Sequence, residues 1–317
     1  MNKRLQGILL VLLSAAGFGL MPFFAVGAYE HGVTVQTLLL LRFIFATLFF
    51  FGLIRVRRET WKPTKKHLKS FFLLGGVMYM LQSTLYFTSV KWIPSSLAAL
   101  LLYTYPAFVC LLAIKTEKRP LRLNTALAVI LSFAGIGLVL GAPQGTIRPE
   151  GILAALGAAV VYSLYITVGN RVVSEAPSLV TSAYVSLFAS GSIFLSGLLF
   201  GELKFDFEAQ AWPYILGVSL FSTVIAMLTF FLGMSKIGST QASILSTFEP
   251  LVTIGVAVAF MDETMRPLAW LGSILVLSAA VLSVSDKQED HAAPESAGPP
   301  SPDRAAPHQA GKDAPEF

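Results

Sequence analysis

Charge is scarce in this chain of 317 residues. Only 13% of it is Asp, Glu, Lys or Arg, while 55% is apolar and the mean hydropathy is +0.69. Soluble domains carry about 25% charged residues, so an ordinary soluble domain is excluded. Cysteine is nearly absent. The single Cys110 rules out an intramolecular disulfide framework and any CxxC metal or redox site. Histidine is rare, and none of the four (His31, His67, His291, His308) lies in an apolar run, so no zinc-type cluster is expected. HExxH, an Asp pair within an apolar run and the G-x-x-x-x-G-K-[ST] loop are all missing. A lipid-active membrane enzyme lacks its reactive groups, no cofactor is implied, and the driving force for any transport must come from gradients or a partner. Lys and Arg are not interleaved with exposed aromatics, so no nucleic-acid partner is expected.

Long uncharged runs take the place of these features. Leu5–Ala28 holds twenty-four residues without Asp, Glu, Lys or Arg, and about twenty apolar residues cross a bilayer as a helix. Lys3 and Arg4 ahead of this run resemble a secretory signal, but the run exceeds the usual apolar core of about 7–15 residues, so it is read as a retained first helix. Ten spans are predicted, at about 5–28, 33–54, 70–90, 93–114, 123–142, 151–170, 179–200, 211–234, 237–260 and 267–285. The count depends on dividing two long runs at Lys91-Trp92 and at Lys236, each followed closely by Pro94 or Gly238. With the N-terminus inside, inner segments hold fifteen Lys/Arg and outer loops four (Lys91, Arg148, Lys204, Arg266). That bias places both termini in the cytoplasm. Trp61, Trp92, Trp212 and Trp270 fall near span ends, as interfacial anchors do. The basic 55–69 loop reads as a topology determinant, with contact to anionic lipid the alternative. From Asp286 the chain turns proline-rich and poor in large apolar residues, so 286–317 is expected to be a disordered cytoplasmic tail.

The chain also repeats itself. A shift of 144 lays Gly7-Ile8-Leu9 on Gly151-Ile152-Leu153, Phe18 on Tyr162, Ser95-Ser96 on Ser239-Thr240 and Pro106 on Pro250. After a two-residue slip, Glu117 falls on Glu263. Each repeat holds five spans, an odd number, so the second enters the membrane upside down. The organisation is a first repeat over 5–142, a second over 150–285, and the tail. Inverted repeats meeting at a midplane site, lined by interrupted helices, characterise secondary transporters. Tyr105-Pro106 and Glu249-Pro250 interrupt corresponding helices.

These halves carry Y-P-A-F-V-C-L-L-A-I-K-T-E (105–117) and E-P-L-V-T-I-G-V-A-V-A-F-M-D-E (249–263). The double motif resembles the EamA-type transporters of the drug/metabolite transporter superfamily over roughly 5–285. The resemblance implies an all-α integral membrane protein of ten helices in two inverted five-helix repeats. Its central cavity would be lined by the third, fourth, eighth and ninth helices with the first and sixth. It implies a carrier in the inner (plasma) membrane that moves amino acids, other small metabolites or drugs, often outward. A channel-like facilitator of small solutes is the alternative.

Several intramembrane residues then become candidates for the path. Tyr79, Gln82, Ser83 and Tyr86 make a polar stripe at i, i+3, i+4, i+7 on helix 3, either an interhelical hydrogen-bonding face or a cavity wall. Their counterparts in helix 8 are Thr223, Ala226, Met227 and Phe230, so the stripe belongs to one half. Tyr103 and Tyr105 sit beside Pro106, and Tyr162 and Tyr165 share a face of helix 6. Each hydroxyl needs a partner, which a wet cavity, a substrate or a neighbouring carbonyl supplies. Arg42, the one basic residue well inside a span, either snorkels or binds backbone carbonyls, or serves as counter-charge for substrate or Glu249. One cation is thin provision for polyanionic cargo. Glu117 and Glu263 read as end-of-helix acids. Glu249 is the coupling candidate. A charged residue at the centre of a span costs about 2.5–3.5 kcal/mol to insert, and proton exchange is one use that justifies it. A carboxyl that merely ties helix 9 to a neighbour or caps the break is the other.

Overall fold

The structure, a computed structural model, describes residues 3–59, 62–105, 108–109, 112, scattered positions between 127 and 138, 147–173, 176–237, 242, 245–246 and 248–291. Most of the fifth span, Pro106, Cys110, Glu117, Trp61, Gly238 and the tail beyond His291 lie outside these residues. Among the described residues there is no strand, and six rods are long and apolar enough to cross a membrane. Shorter apolar helices at Phe248–Phe260 and Pro267–Ala279 accompany them. This is the expected all-α membrane architecture of two inverted halves.

In the first half, α1 (Lys3–Gly19) passes into α2 (Met21–Glu30), with Pro22 in the first turn of α2 where its missing N–H is tolerated. The two helices form one membrane-length rod, Lys3–Glu30, with only a local irregularity at Leu20, in line with the span expected at about 5–28. Next come α3 (Val35–Val56), started by the Thr34 hydroxyl accepting from the Thr37 N–H, and α4 (Lys65–Phe71). Helix α4 begins inside the segment expected to be a basic loop, because Thr64 and His67 form a reciprocal capping box. A π-type segment, Phe72–Tyr79, joins α4 to α5 (Met80–Trp92), and α6 (Ser95–Leu102) follows.

The second half contributes α7 (Pro149–Val173), α8 (Ser178–Phe200), closed by left-handed Gly201, and α9 (Trp212–Ser219). Another π-type segment, Leu220–Ile225, leads to α10 (Ala226–Ile237), then α11 (Phe248–Phe260) and α12 (Pro267–His291). Helix α12 runs past Asp286, the point where the composition changes, as far as His291.

The halves interleave. Helix α1 packs on α10 and α11, while α7, its repeat counterpart, packs on α5 and α6; α3 lies along α8, and α6 meets α11. Glycines make these approaches possible. A Cβ on Gly7 would stand 2.5 Å from Ile237 Cγ2, and one on Gly151 would stand 2.7 Å from Ile93 Cγ2. Both glycines and both isoleucines are related by the shift of 144. Because lipid is as apolar as leucine, such close backbone contact and interhelical hydrogen bonds hold the bundle together. Ser14 donates to the Ala226 carbonyl at 2.7 Å and Thr253 to the Gly19 carbonyl at 3.0 Å. The π-type segments fall in corresponding spans and overlap in the repeat register, so Tyr79 and Thr223 occupy equivalent positions.

Candidate functional site

Pro250 lies in the first turn of α11. Having no N–H, it leaves the carbonyl four residues back, Ser246, without its helical partner. The hydroxyl of Tyr103, just past the end of α6 in the other half, fills this gap at 3.0 Å. The same hydroxyl stands 2.7 Å from Glu249 Oε2. One phenolic proton therefore faces two acceptors, a backbone carbonyl and a carboxyl. Tyr103 is buried, while Glu249 is only partly so.

From Tyr103 a ladder of tyrosine rings crosses between the halves. Tyr103 meets Tyr105 edge-on with centroids 5.8 Å apart, and Tyr105 meets Tyr162 at 4.7 Å. Tyr162 and Tyr165, three residues apart on α7, stack at 6.0 Å, and Tyr165 stacks on Tyr79 at 5.4 Å. Aromatic pairs at these separations are favourable beyond the area they bury. Tyr79, Tyr105, Tyr162 and Tyr165 are each half-buried, so part of the ladder stays accessible. Helices predicted to line the path thus bring five tyrosines and Glu249 into one continuous feature.

The rest of the helix 3 stripe is placed differently. Gln82 and Ser83 are buried, with the Ser83 hydroxyl donating to Gln82 Oε1 at 3.4 Å. Tyr86 is buried edge-on against Phe87, within electrostatic reach of Arg42, Glu249 and Glu263. Only Tyr79 of this stripe belongs to the ladder.

Arg42 closes the far end. Its Nη2 donates to the Tyr79 hydroxyl at 3.5 Å and its Nε to Thr223 Oγ1 at 2.7 Å. Thr223 in turn donates to the Val218 carbonyl at 2.9 Å, a bond the π-type winding brings within reach. The guanidinium carbon lies 5.0 Å from the ring centre of Phe43 and 5.2 Å from that of Phe87. With 1% exposure Arg42 does not snorkel, and its partners are side-chain hydroxyls in both halves, not backbone carbonyls. Its α3 position, about 10 Å along the helix from Val35, is too deep for the head group to reach the end. Nor is it paired with Glu249, which is engaged by Tyr103. Thr223 escaped selection from sequence. The available signal was its register with Tyr79.

Glu263 is an end-of-helix acid of an unexpected kind, because it caps a helix of the other half. Its carboxylate accepts from the Ser95 N–H at 2.6 Å, the Ser95 hydroxyl at 2.7 Å, the Ser96 N–H at 3.2 Å and the Ser96 hydroxyl. Pro94, at the N-cap of α6, has no side-chain acceptor to offer, so the orphan donors of the first turn are met from outside. Glu117 and Ser239-Thr240, the equivalent set by the repeat, lie outside the described residues. Among the described residues no three His, Cys, Asp or Glu side chains gather as a metal site.

Comparison with known proteins agrees with this architecture. An uncharacterized transporter YwfM of Bacillus subtilis (strain 168) is 26% identical over 243 residues, covering 73% of this chain and 80% of that protein. The threonine/homoserine exporter RhtA of Escherichia coli (strain K12) is 26% identical over 215 residues, 66% of this chain and 67% of its own. A solved crystal structure superposes with a TM-score of 0.64 at 18% identity, covering 89% of this chain and 98% of that one, a likeness of fold. The sequence profile of the EamA-like transporter family matches twice, over residues 5–141 and 149–285. Two matches in tandem, over most of the length, establish that this chain is a multi-pass membrane transporter belonging to the EamA-like transporter family.

Proposed function

We propose that the chain is a secondary carrier that exports small metabolites, amino acids or amphiphilic drugs among them, across the bacterial inner membrane by alternating access. The observation that carries this reading is the tyrosine ladder ending on Glu249 at the proline break, built from both inverted halves. Tyr79, Tyr105, Tyr162 and Tyr165 supply aromatic faces for an organic solute, and Tyr103 anchors Glu249. Gln82, Ser83 and Tyr86 form the wall behind them. Outward transport of amino acids is favoured by the similarity to a threonine/homoserine exporter, and the Lys/Arg bias favours cytoplasmic termini. The functional unit is the pair of repeats, 5–142 and 150–285, without the tail after 286.

Protons are the proposed coupling ion. When Glu249 is neutral, its own proton bonds to the Tyr103 oxygen and frees the tyrosine proton for the Ser246 carbonyl, so every group is satisfied. When Glu249 is ionised, it takes the Tyr103 proton and the Ser246 carbonyl competes for it. A buried acceptor left without a donor costs about 1–3 kcal/mol, enough to bias a two-state bundle by roughly 5- to 150-fold. Protonation would thus be felt at the helix break where the halves meet. Counterflow in proteoliposomes tests the carrier reading, using L-threonine, L-phenylalanine and ethidium as solutes. Saturable exchange supports it, and ohmic, non-saturating current makes the chain a channel-like facilitator instead.

A further inference from the structure

We infer that Arg42 receives a carboxylate group of the transported solute, an inference that rests on the carrier reading and specifies its cargo. A guanidinium has five N–H donors in a planar fork. Here two reach neutral hydroxyls, one of them at 3.5 Å, the outer limit of a hydrogen bond. No carboxylate of the described residues forms an ion pair with it. Two phenylalanine rings flank the charge and give only part of what water would. A buried cation of this kind is costly unless an anion joins it.

The fold itself has no need of the charge. In the second half the repeat-equivalent residue is Ser186, equally buried at 1% exposure. Arg42 is also held by repeat-equivalent residues, Tyr79 and Thr223, one from the π-type segment of each half. A residue bonded to equivalent points of two inverted repeats lies where both halves converge, which is where alternating access exchanges exposure.

The chemistry selects the ligand. A planar fork binds a carboxylate through two parallel N–H···O bonds. A single guanidinium suits one carboxylate and underprovides for a phosphate dianion or a polyanion. The weak Tyr79 bond is the one a carboxylate displaces, and Tyr79 leads directly onto the half-buried rings of Tyr165 and Tyr162. The solute therefore has a carboxylate for Arg42 and an organic body for the ladder, leaving Glu249 at the other end for the proton.

The test uses the full chain in lipid nanodiscs and measures binding by thermal shift and tryptophan fluorescence. The probes are the common L-amino acids and short aliphatic and aromatic monocarboxylates, each paired with its carboxamide, such as L-threonine with L-threoninamide and 3-phenylpropionate with 3-phenylpropanamide. At least one acid is expected to bind at least tenfold more tightly than its amide. That preference is expected to fall within twofold in R42Q and to be intermediate in R42K, which keeps the charge and loses the fork. Equal binding of acid and amide throughout the panel in the unaltered protein overturns the inference, as does a tenfold preference that survives in R42Q. If R42Q fails to fold, the acid-to-amide comparison and R42K still decide. Saturable counterflow of ethidium without any acid preference leaves the carrier reading standing and removes the carboxylate. Arg42-dependent acid binding without counterflow of any solute does the reverse.

Discussion

At one end of the tyrosine ladder, Glu249 has a committed protein partner: the Tyr103 hydroxyl stands 2.7 Å away and also serves the carbonyl freed by Pro250. At the other end, Arg42 has two neutral hydroxyls and two aromatic faces. In the repeat register Glu249 corresponds to Tyr105 and Arg42 to Ser186. The framework of the two halves is paired position for position, as at Gly7 and Gly151, whereas each charge occurs once. On the proposed carrier reading, symmetry belongs to the packing that lets the halves exchange conformations, and asymmetry to the groups assigned to solute and proton. A charge already bonded within the protein is suited to switching. A charge lacking an anionic partner is suited to receiving one.

The largest effect is expected at Glu249. E249Q keeps the size and one acceptor oxygen but cannot release a proton, so it should lose the pH dependence of flux and at least tenfold of its concentrative rate. Substrate counterflow, which needs no proton release, should be retained within about threefold. A variant with full pH-dependent flux would end the proton role and make Glu249 a tie between α11 and Tyr103.

Arg42 should respond in the opposite sense for stability. Replacing a buried ionic group with an apolar one of similar size is often neutral or stabilising by about 1–4 kcal/mol. R42M is therefore expected to melt no lower than the unaltered chain while losing the acid-over-amide preference. A large drop in melting temperature would show that Arg42 principally ties α3 to the π-type segments.

Much of this contrast was legible in the sequence, for a physical reason. In an apolar run every tyrosine, acid or proline is conspicuous, since lipid tolerates few polar groups. The tyrosines of the ladder, Glu249-Pro250 and the repeat register all stand out in this way. Partners across the bundle were not legible. The donor to the Ser246 carbonyl lies 143 residues away, and the helix capped by Glu263 begins 168 residues before it. The segment F-L-L-G-G-V-M-Y carries no signal for π-type winding, yet that winding brings Tyr79 to the guanidinium. Depth along a span was readable for Arg42. The face it turns to was not, and so snorkelling was an open reading.

The symmetric framework yields a smaller, paired effect. G7A and G151A each insert a methyl group where the opposing Cγ2 is under 3 Å from the new Cβ. Overpacking of this kind costs typically 1–3 kcal/mol. Both variants should lower the melting temperature in purified protein, and by similar amounts. Loss confined to one of them would show that the two α1-type contacts are not equivalent and that the halves differ in packing as well as in chemistry.

The smallest effect is expected at Glu263, whose carboxylate crosses from one half to cap α6 in the other. E263Q preserves one acceptor oxygen and removes the charge that complements the helix N-terminus. Side-chain caps contribute about 0.5–2 kcal/mol and the charge–dipole component about 0.3–1 kcal/mol at an exposed end. Because Ser95 and Ser96 keep part of their bonding, a loss of about 1 kcal/mol is expected, with E263A losing more. The clasp joins α6 to the segment after α11, the two helices that position Tyr103 and Glu249. Weakening it should therefore change transport rate more than solute affinity. If E263Q instead alters the affinity for solute while the melting temperature is unchanged, the carboxylate is acting on the ladder and not on the helix end.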